Sequence, residues 1–304
     1  MNHIKRKVEK NFKIIKEELG NSSDIVDRII HIKNEKIGYI YLESVSSDDK
    51  ISDFFMKDIS SYVKNRKKSF FEELFDSLEN TIPNSHLKII DKKEDIFYHL
   101  AAGYTCIFLE GEKKSIAIET KTKLDRGVTE ATSEAIIRGP KDSFTENHNI
   151  NIGLIRKRIK DKNLWIKDII VGRRTKTKVS ISFIKDIANL ELVEKLEKEI
   201  SRIDIDGILD SGYIREFLLK GKRSALPQFI STERPDLVSM SLLQGKIVIL
   251  VENSPIALII PALLVDFIHS PEDYYQKPIN QYKSKKTIGR ALEEVYDNLI
   301  HVNK

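Results

Sequence analysis

The chain has 304 residues, with 51 Lys+Arg against 46 Asp+Glu, a net charge of +5 and 40% hydrophobic residues. That length suits about two domains, the mixed charges are not those of a disordered segment, and so small a basic surplus does not demand a nucleic-acid partner. One cysteine, Cys106, excludes an intramolecular disulfide and a Cys-based zinc site, and fits a reducing compartment. Met1–Lys10 carries charges with no apolar run behind them, so no signal peptide is expected. The uncharged apolar stretch Asn253–Val265 is too short to span a bilayer and contains Pro255 and Pro261. Taken alone, the chain is expected to be soluble.

Residues 1–24 read as a polar, Lys-rich leader forming a frayed helix. Ile37–Leu42 is rich in β-branched and aromatic residues and reads as a first strand. Ser47 and Asp48-Asp49 are placed to cap a helix from about Ile51. Phe70, Phe71, Leu74, Phe75 and Leu78 recur at helical spacing. A short helix over Asp95–Ala102 stops at Gly103. Tyr104–Leu109 and Ser115–Glu119 form a hairpin turned by Glu110-Gly111-Glu112-Lys113. Residues 25–125 are thus a first α/β subdomain.

Residues 126–143, with Gly127, Gly139 and Pro140, read as a connecting segment. A second α/β subdomain over 144–275 restarts with a helix at about Phe144–Lys160. A strand pair follows at Leu164–Val171 and Lys176–Phe183. Helices are expected at Leu190–Ile203, Gly212–Lys220 and Pro235–Leu243, the last with Pro at its first turn. Phe229–Ser231 is a short strand, and Lys246–Val251 with Pro255–Ile260 a last hairpin. Residues 276–304 form a charged tail holding an amphipathic helix, Ile288–Ile300. No internal repeat is visible. The fold class is α/β (α+β), two small subdomains each built on a mixed sheet flanked by helices.

Several motifs carry chemistry. Glu119-Thr120-Lys121 at a hairpin strand end has the Glu-x-Lys form of Mg²⁺-dependent nucleases, in which a carboxylate holds the metal and the lysine serves the phosphate. Such a site needs a second acid, here Asp95 or Glu110. Against it stands a plain strand end with solvated charges. Asp204-Ile205-Asp206-Gly207 with Asp210 lacks the closing Glu of a calcium loop and reads as a turn. The seven histidines are scattered, with no zinc-ligand spacing, and Cys106 sits in an apolar strand. No metal or cofactor is expected. Arg173-Arg174-Thr175-Lys176-Thr177-Lys178 is a basic hairpin tip without the interleaved aromatics of nucleic-acid readers, so it reads as a solvated turn or a contact with an acidic partner.

Two stretches are more specific. After the Gly139-Pro140 turn, Asn147 and Asn151 lie four apart on one helix face, where Asn is a poor helix former. In Ser231–Asp236, Glu233 and Arg234 precede a Pro-started helix whose free N–H groups suit an anion or a carboxylate. Arg138, Asn147, Asn151, Arg156, Glu233, Arg234 and Asp236 are therefore the candidate residues for a ligand site or an inter-subdomain interface. A groove holding Arg138, Arg156 and Arg234 would take a small polar or anionic molecule.

Arg138-Gly139-Pro140 through Phe144-Thr145-Glu146-Asn147, Leu154–Lys160, Asp206–Ile214, Pro227-Gln228, Thr232–Asp236, Leu243–Lys246 and Ser270–Tyr275 together resemble the signature of the A subunit of GerA-type spore germination receptors. The resemblance covers about Leu19 to Tyr275. It implies a non-enzymatic, core-facing N-terminal domain at the spore inner membrane, with two α/β subdomains in a shape like that of solute-binding proteins. It also implies work with B and C subunits, self-association through a membrane part, and a role in nutrient signalling and ion-channel assembly. A paralogue encoded with the SpoVA channel proteins shares this architecture. In the family the Glu-Asp-Tyr-Tyr end leads into membrane-spanning helices, whereas here Lys277-Pro278 leads into the charged tail.

Overall fold

The computed structural model describes residues 3–32, 35–54, 70–81, 87–123, 140–219 and 228–263. The connecting segment up to Gly139, Arg138 with it, and the tail beyond Leu263 lie outside them. The chain divides into two compact units: unit 1 is Met1–Leu124 with Ile159–Lys162, and unit 2 is Asp125–Arg158 with Asn163–Lys304.

Unit 1 runs α1 (Val8–Glu18), β1 (Ile25–Ile32), β2 (Glu35–Leu42), α2 (Asp48–Phe54), α3 (Phe70–Thr81), β3 (Leu87–Ile90), α4 (Lys93–Ala101), β4 (Tyr104–Leu109) and β5 (Ser115–Glu119). Its sheet has the order β1-β2-β4-β5-β3. Strand side chains alternate between faces, and both faces are covered. Ile40, Leu42, Cys106, Phe108 and Ala117 pack with Val8, Phe12 and Ile15 of α1 and Ile96, Phe97 and Leu100 of α4. On the other face Ile37, Ile107, Leu109, Ile116 and Ile118 pack with Phe71, Leu74 and Leu78 of α3.

Residues 3–24 therefore hold a packed helix, not a frayed one. The stripe Val8, Phe12, Ile15, Leu19 is buried in the core, and Phe12 meets Phe108 edge-on at 6.0 Å. The surrounding lysines and glutamates lower the mean hydropathy while leaving the helical period intact.

Unit 2 runs α5 (His148–Arg158), β6 (Leu164–Val171), β7 (Thr177–Ile184), α6 (Leu190–Ser201), α7 (Ser211–Leu219), β8 (Ile230–Thr232), α8 (Pro235–Leu243), β9 (Ile247–Val251) and β10 (Ala257–Ile260), with sheet order β6-β7-β9-β10-β8. Val179, Ile181, Phe183, Ile247, Ile249 and Val251 pack with Leu192, Val193, Leu196 and Ile200 of α6 and Ile214 and Leu218 of α7. Helices α5 and α8 pack on each other and against the sheet from the opposite face.

Both sheets are antiparallel throughout, which corrects the expected mixed sheets. A parallel pair needs two adjacent strands joined by a crossover that returns the chain to the same end. Here adjacent strands are joined by hairpins or have another strand of the sheet between them in the chain.

The two units share one element order, α-β-β-α-α-β-α-β-β, and one strand order, so the chain does contain a repeat. Ile37 pairs with Leu109 in unit 1, and Val179 with Val251 in unit 2, each residue 142 positions beyond its counterpart. Ile90–Ser115 and Thr232–Ala257 keep the same shift. Gly103 and Gly245, also 142 apart, turn the chain into β4 and β9 with φ of 82° and 87°.

Candidate functional site

The conspicuous chemistry of the described residues is the polar seam in unit 2 under α5 and α8. Asn147 starts α5, its Oδ1 accepting from the Ile150 N–H at 3.1 Å. Asn151, fully buried, closes a ring with Thr145: its Oδ1 accepts the Thr145 N–H at 2.8 Å and its Nδ2 donates to the Thr145 carbonyl at 2.6 Å. That bidentate clasp, rather than helix propensity, explains an Asn inside a helix. Arg156, on the same helix, is also fully buried.

The second motif stretch lies against the first. The Phe144 N–H donates to the Glu233 carbonyl at 2.8 Å. Arg234, 2% exposed, donates from Nε and Nη2 to the two carboxylate oxygens of Asp236 at 3.1 and 2.6 Å. Asp236 stands in the first turn of α8, where the helix dipole favours a negative charge. The chain itself thus supplies the carboxylate that meets Arg234. Arg158 grips both oxygens of Asp142 at 2.6 Å and seats the segment before α5. The six candidate residues that are described all fall in unit 2, on α5, α8 and the segments leading into them. Of these, Asn151, Arg156 and Arg234 are buried and Asn147 is exposed.

Sequence reasoning missed a further group. His148, the first residue of α5, is 5% exposed. Its Nε2 lies 2.6 Å from Ser180 Oγ, and Ser180 in turn donates to Asp168 Oδ1. The serine has one proton and gives it to the carboxylate, so its oxygen accepts from His148 Nε2–H. A hydrolytic triad has the opposite order, with the histidine taking the serine proton. Ser180 is therefore not activated. The available signal was the alternation Ser180, Ile181, Ser182, Phe183 in β7, where both faces prove to be buried.

The Glu-x-Lys motif is placed differently. Lys121 Nζ lies 2.8 Å from Glu119 Oε1 and 5.4 Å from the Tyr104 ring centroid, and the Tyr104 hydroxyl reaches Glu119 Oε2 at 3.4 Å. The bond to Glu119 raises the Lys121 pKa above its ordinary value. The pair neutralises itself. Glu110 stands at the opposite end of the hairpin, accepting the Val8 N–H. Among the described residues no three His, Cys, Asp or Glu side chains are placed to hold a metal ion.

The basic tip behaves as turn chemistry. Arg173 pairs with Asp204 at 2.7 Å, Arg174 approaches Asp206 at 3.6 Å, and Thr177 donates to the Ile208 carbonyl at 2.7 Å. The acidic partner of the basic hairpin is the Asp204–Gly207 turn of the same unit. Cys106 is buried among apolar side chains, which pushes its thiol far above the usual range. No helix among the described residues is long and apolar enough to cross a membrane.

Residues 13–285 match the family described as Bacillus/Clostridium GerA spore germination protein. Among curated proteins the chain is similar to spore germination protein KA of Bacillus subtilis (31% identical, covering 90% of this chain and 50% of that protein). It is also similar to stage V sporulation protein AF of the same organism (32%, covering 86% and 52%). The chain thus spans about half the length of the curated relatives it matches. Among solved structures it is similar to the N-terminal domain of the A subunit of the Bacillus megaterium spore germinant receptor GerK3. There the TM-score is 0.66 at 30% identity, covering 86% of this chain and 97% of that one.

Proposed function

This chain belongs to the GerA family of spore germination proteins, and on that premise we propose that it acts as the N-terminal domain of a germinant-receptor A subunit. The observation that carries the reading is the near-complete coverage of the GerK3 A-subunit domain by a chain of the same fold. The domain is a transmitting and assembly module, not an enzyme. It faces the spore core from a receptor complex at the inner membrane, works with B and C subunits, and joins further copies of the A subunit through the membrane-embedded part. Its part in germination is to couple nutrient sensing to opening of the ion channel. The self-neutralised Glu119–Lys121 pair supports the non-enzymatic reading over a Mg²⁺-dependent nuclease.

Deleting the gene from the spore-former that carries it tests the reading. The expected result is slowed germination with nutrients and normal sporulation. Unimpaired nutrient germination overturns it, and a defect confined to sporulation favours a role like that of stage V protein AF. Purified protein incubated with Mg²⁺ and DNA is expected to leave the DNA intact.

A further inference from the structure

The repeat supplies an internal control for the His148 group. The residue at the start of α1 that matches His148 is Val8, buried in the core. The residue 142 positions before Ser180 is Gly38. The strand partner of Gly38 is Ile29, as that of Ser180 is Asp168. Where α1 crosses its sheet, the contact is apolar and tight: a Cβ on Gly38 would lie 2.2 Å from Val8 Cγ1. The same crossing in unit 2 is polar and ionisable. One fold builds this contact both ways, so its geometry does not require the histidine, the serine or the aspartate.

We propose that the His148–Ser180–Asp168 chain is a proton-sensitive latch on the first turn of α5, holding the 142–147 segment seated while the imidazole is neutral and releasing it when the imidazole takes a second proton. The second proton goes to Nδ1, which is buried and meets no hydrogen-bond partner among the described residues. Protonation there buries a charge and leaves an N–H without an acceptor. The charged groups facing the ring are Asp168 on β6 and Glu252 on the β9–β10 turn, which favour the cation, and Lys178 on β7, which opposes it. The positive end of α5 opposes it too. Burial outweighs the two carboxylates and holds the imidazole pKa below its ordinary value.

The latch controls a defined segment. The Glu146 carbonyl accepts from the Asn253 N–H, and Phe144 donates to Glu233, so loosening the first turn of α5 frees the α8 approach and the β9–β10 turn together. The inference rests on the geometry of unit 2 and does not depend on the germination reading.

Hydrogen exchange from about pH 7.5 to about pH 5, corrected for intrinsic rates, tests it. Below about pH 6.5 the opening constant of residues 142–150 is expected to rise toward tenfold per pH unit, and to be flat above. Helix α6 serves as the unresponsive reference. The triple variant His148→Val/Asp168→Ile/Ser180→Gly copies the unit 1 contact and is expected to lose the slope while keeping α6 protection. Should that variant fail to fold, His148→Gln and an NMR titration of His148 in the unmodified protein decide the matter. A midpoint at or above 6.5, or an unchanged slope in His148→Gln, overturns the latch.

Discussion

Asn11 and Asn151 make the same hydrogen-bonded ring in the two units. Asn11 accepts the Lys5 N–H at 2.8 Å and donates to the Lys5 carbonyl at 2.7 Å, just as Asn151 does with Thr145. Each asparagine is the fourth residue of its helix and bonds the backbone six positions earlier. The ring fixes the angle at which the chain enters the helix, and it does so with one buried amide.

Replacing either asparagine by leucine strands one donor and one acceptor of the backbone. Asn11→Leu and Asn151→Leu are each expected to cost about 1–3 kcal/mol. Trp165, the single tryptophan, lies in unit 2 and reports its unfolding in denaturant by fluorescence. The Asn151 variant should shift that midpoint. An unchanged midpoint would remove the clasp from the set of groups that hold unit 2.

Removing one partner of a buried ion pair costs more than removing an exposed one. Asp236→Ala takes the bidentate carboxylate from a guanidinium that is 2% exposed, and is expected to cost about 3–5 kcal/mol. Glu119→Ala breaks a pair in which Lys121 is 48% exposed, and should cost under about 1 kcal/mol. Equal losses in urea titrations of the two variants would contradict this ranking.

Gly38→Ala drives a methyl group into Val8 and Phe12 of α1. The expected destabilisation is about 1–3 kcal/mol, the usual range for an overfilled core. Combining it with Val8→Ala should recover part of the loss, because the two sites share one space. Additive losses in thermal melts would show that the helix shifts instead of clashing.

Hydrogen bonds from Lys162 and Lys93 hold the Glu18 carboxyl below the usual carboxylate range, against a smaller opposing effect of burial. A depressed folded-state pKa adds stability above the unfolded value, and this is lost as the pH falls through the folded value. Protection of α1 against exchange should therefore fall below about pH 4.5 in the wild type and respond less in Glu18→Gln. Identical pH profiles would show that these bonds add nothing to α1.

Much of the architecture was legible because local signals and burial agreed. Pro235–Leu243 has proline at its start and glycine two residues past its end, and Tyr104–Leu109 and Ser115–Glu119 flank a clear turn, so these bounds match the observed elements. Strand β1, Ile25–Ile32, was not anticipated: Asp27, Arg28 and His31 interrupt it, and as an edge strand it tolerates them. The repeat was invisible because it preserves register and burial while replacing Val8 by His148 and Gly38 by Ser180. The motif stretches around Asn147 and Arg234 were legible in the sequence as unusual residues at a turn and a helix start. Their chemistry was not, since a sequence does not show that Asp236 occupies Arg234 or that Thr145 occupies Asn151.

The assignment of Ile159–Lys162 to unit 1 bears on the order of events during synthesis. Glu18 pairs with Lys93 and Lys162, and the second is translated only after the whole of α5. A nascent chain can close the first sheet once β5 has left the ribosome, yet it waits some forty further residues for the last lysine of that unit. Release of an early fragment ending near Leu124 would yield a sheet with its hydrogen-bond ladder complete and an α1 whose Glu18 lacks Lys162. The first unit to begin folding is thereby completed by a segment made after the second has begun.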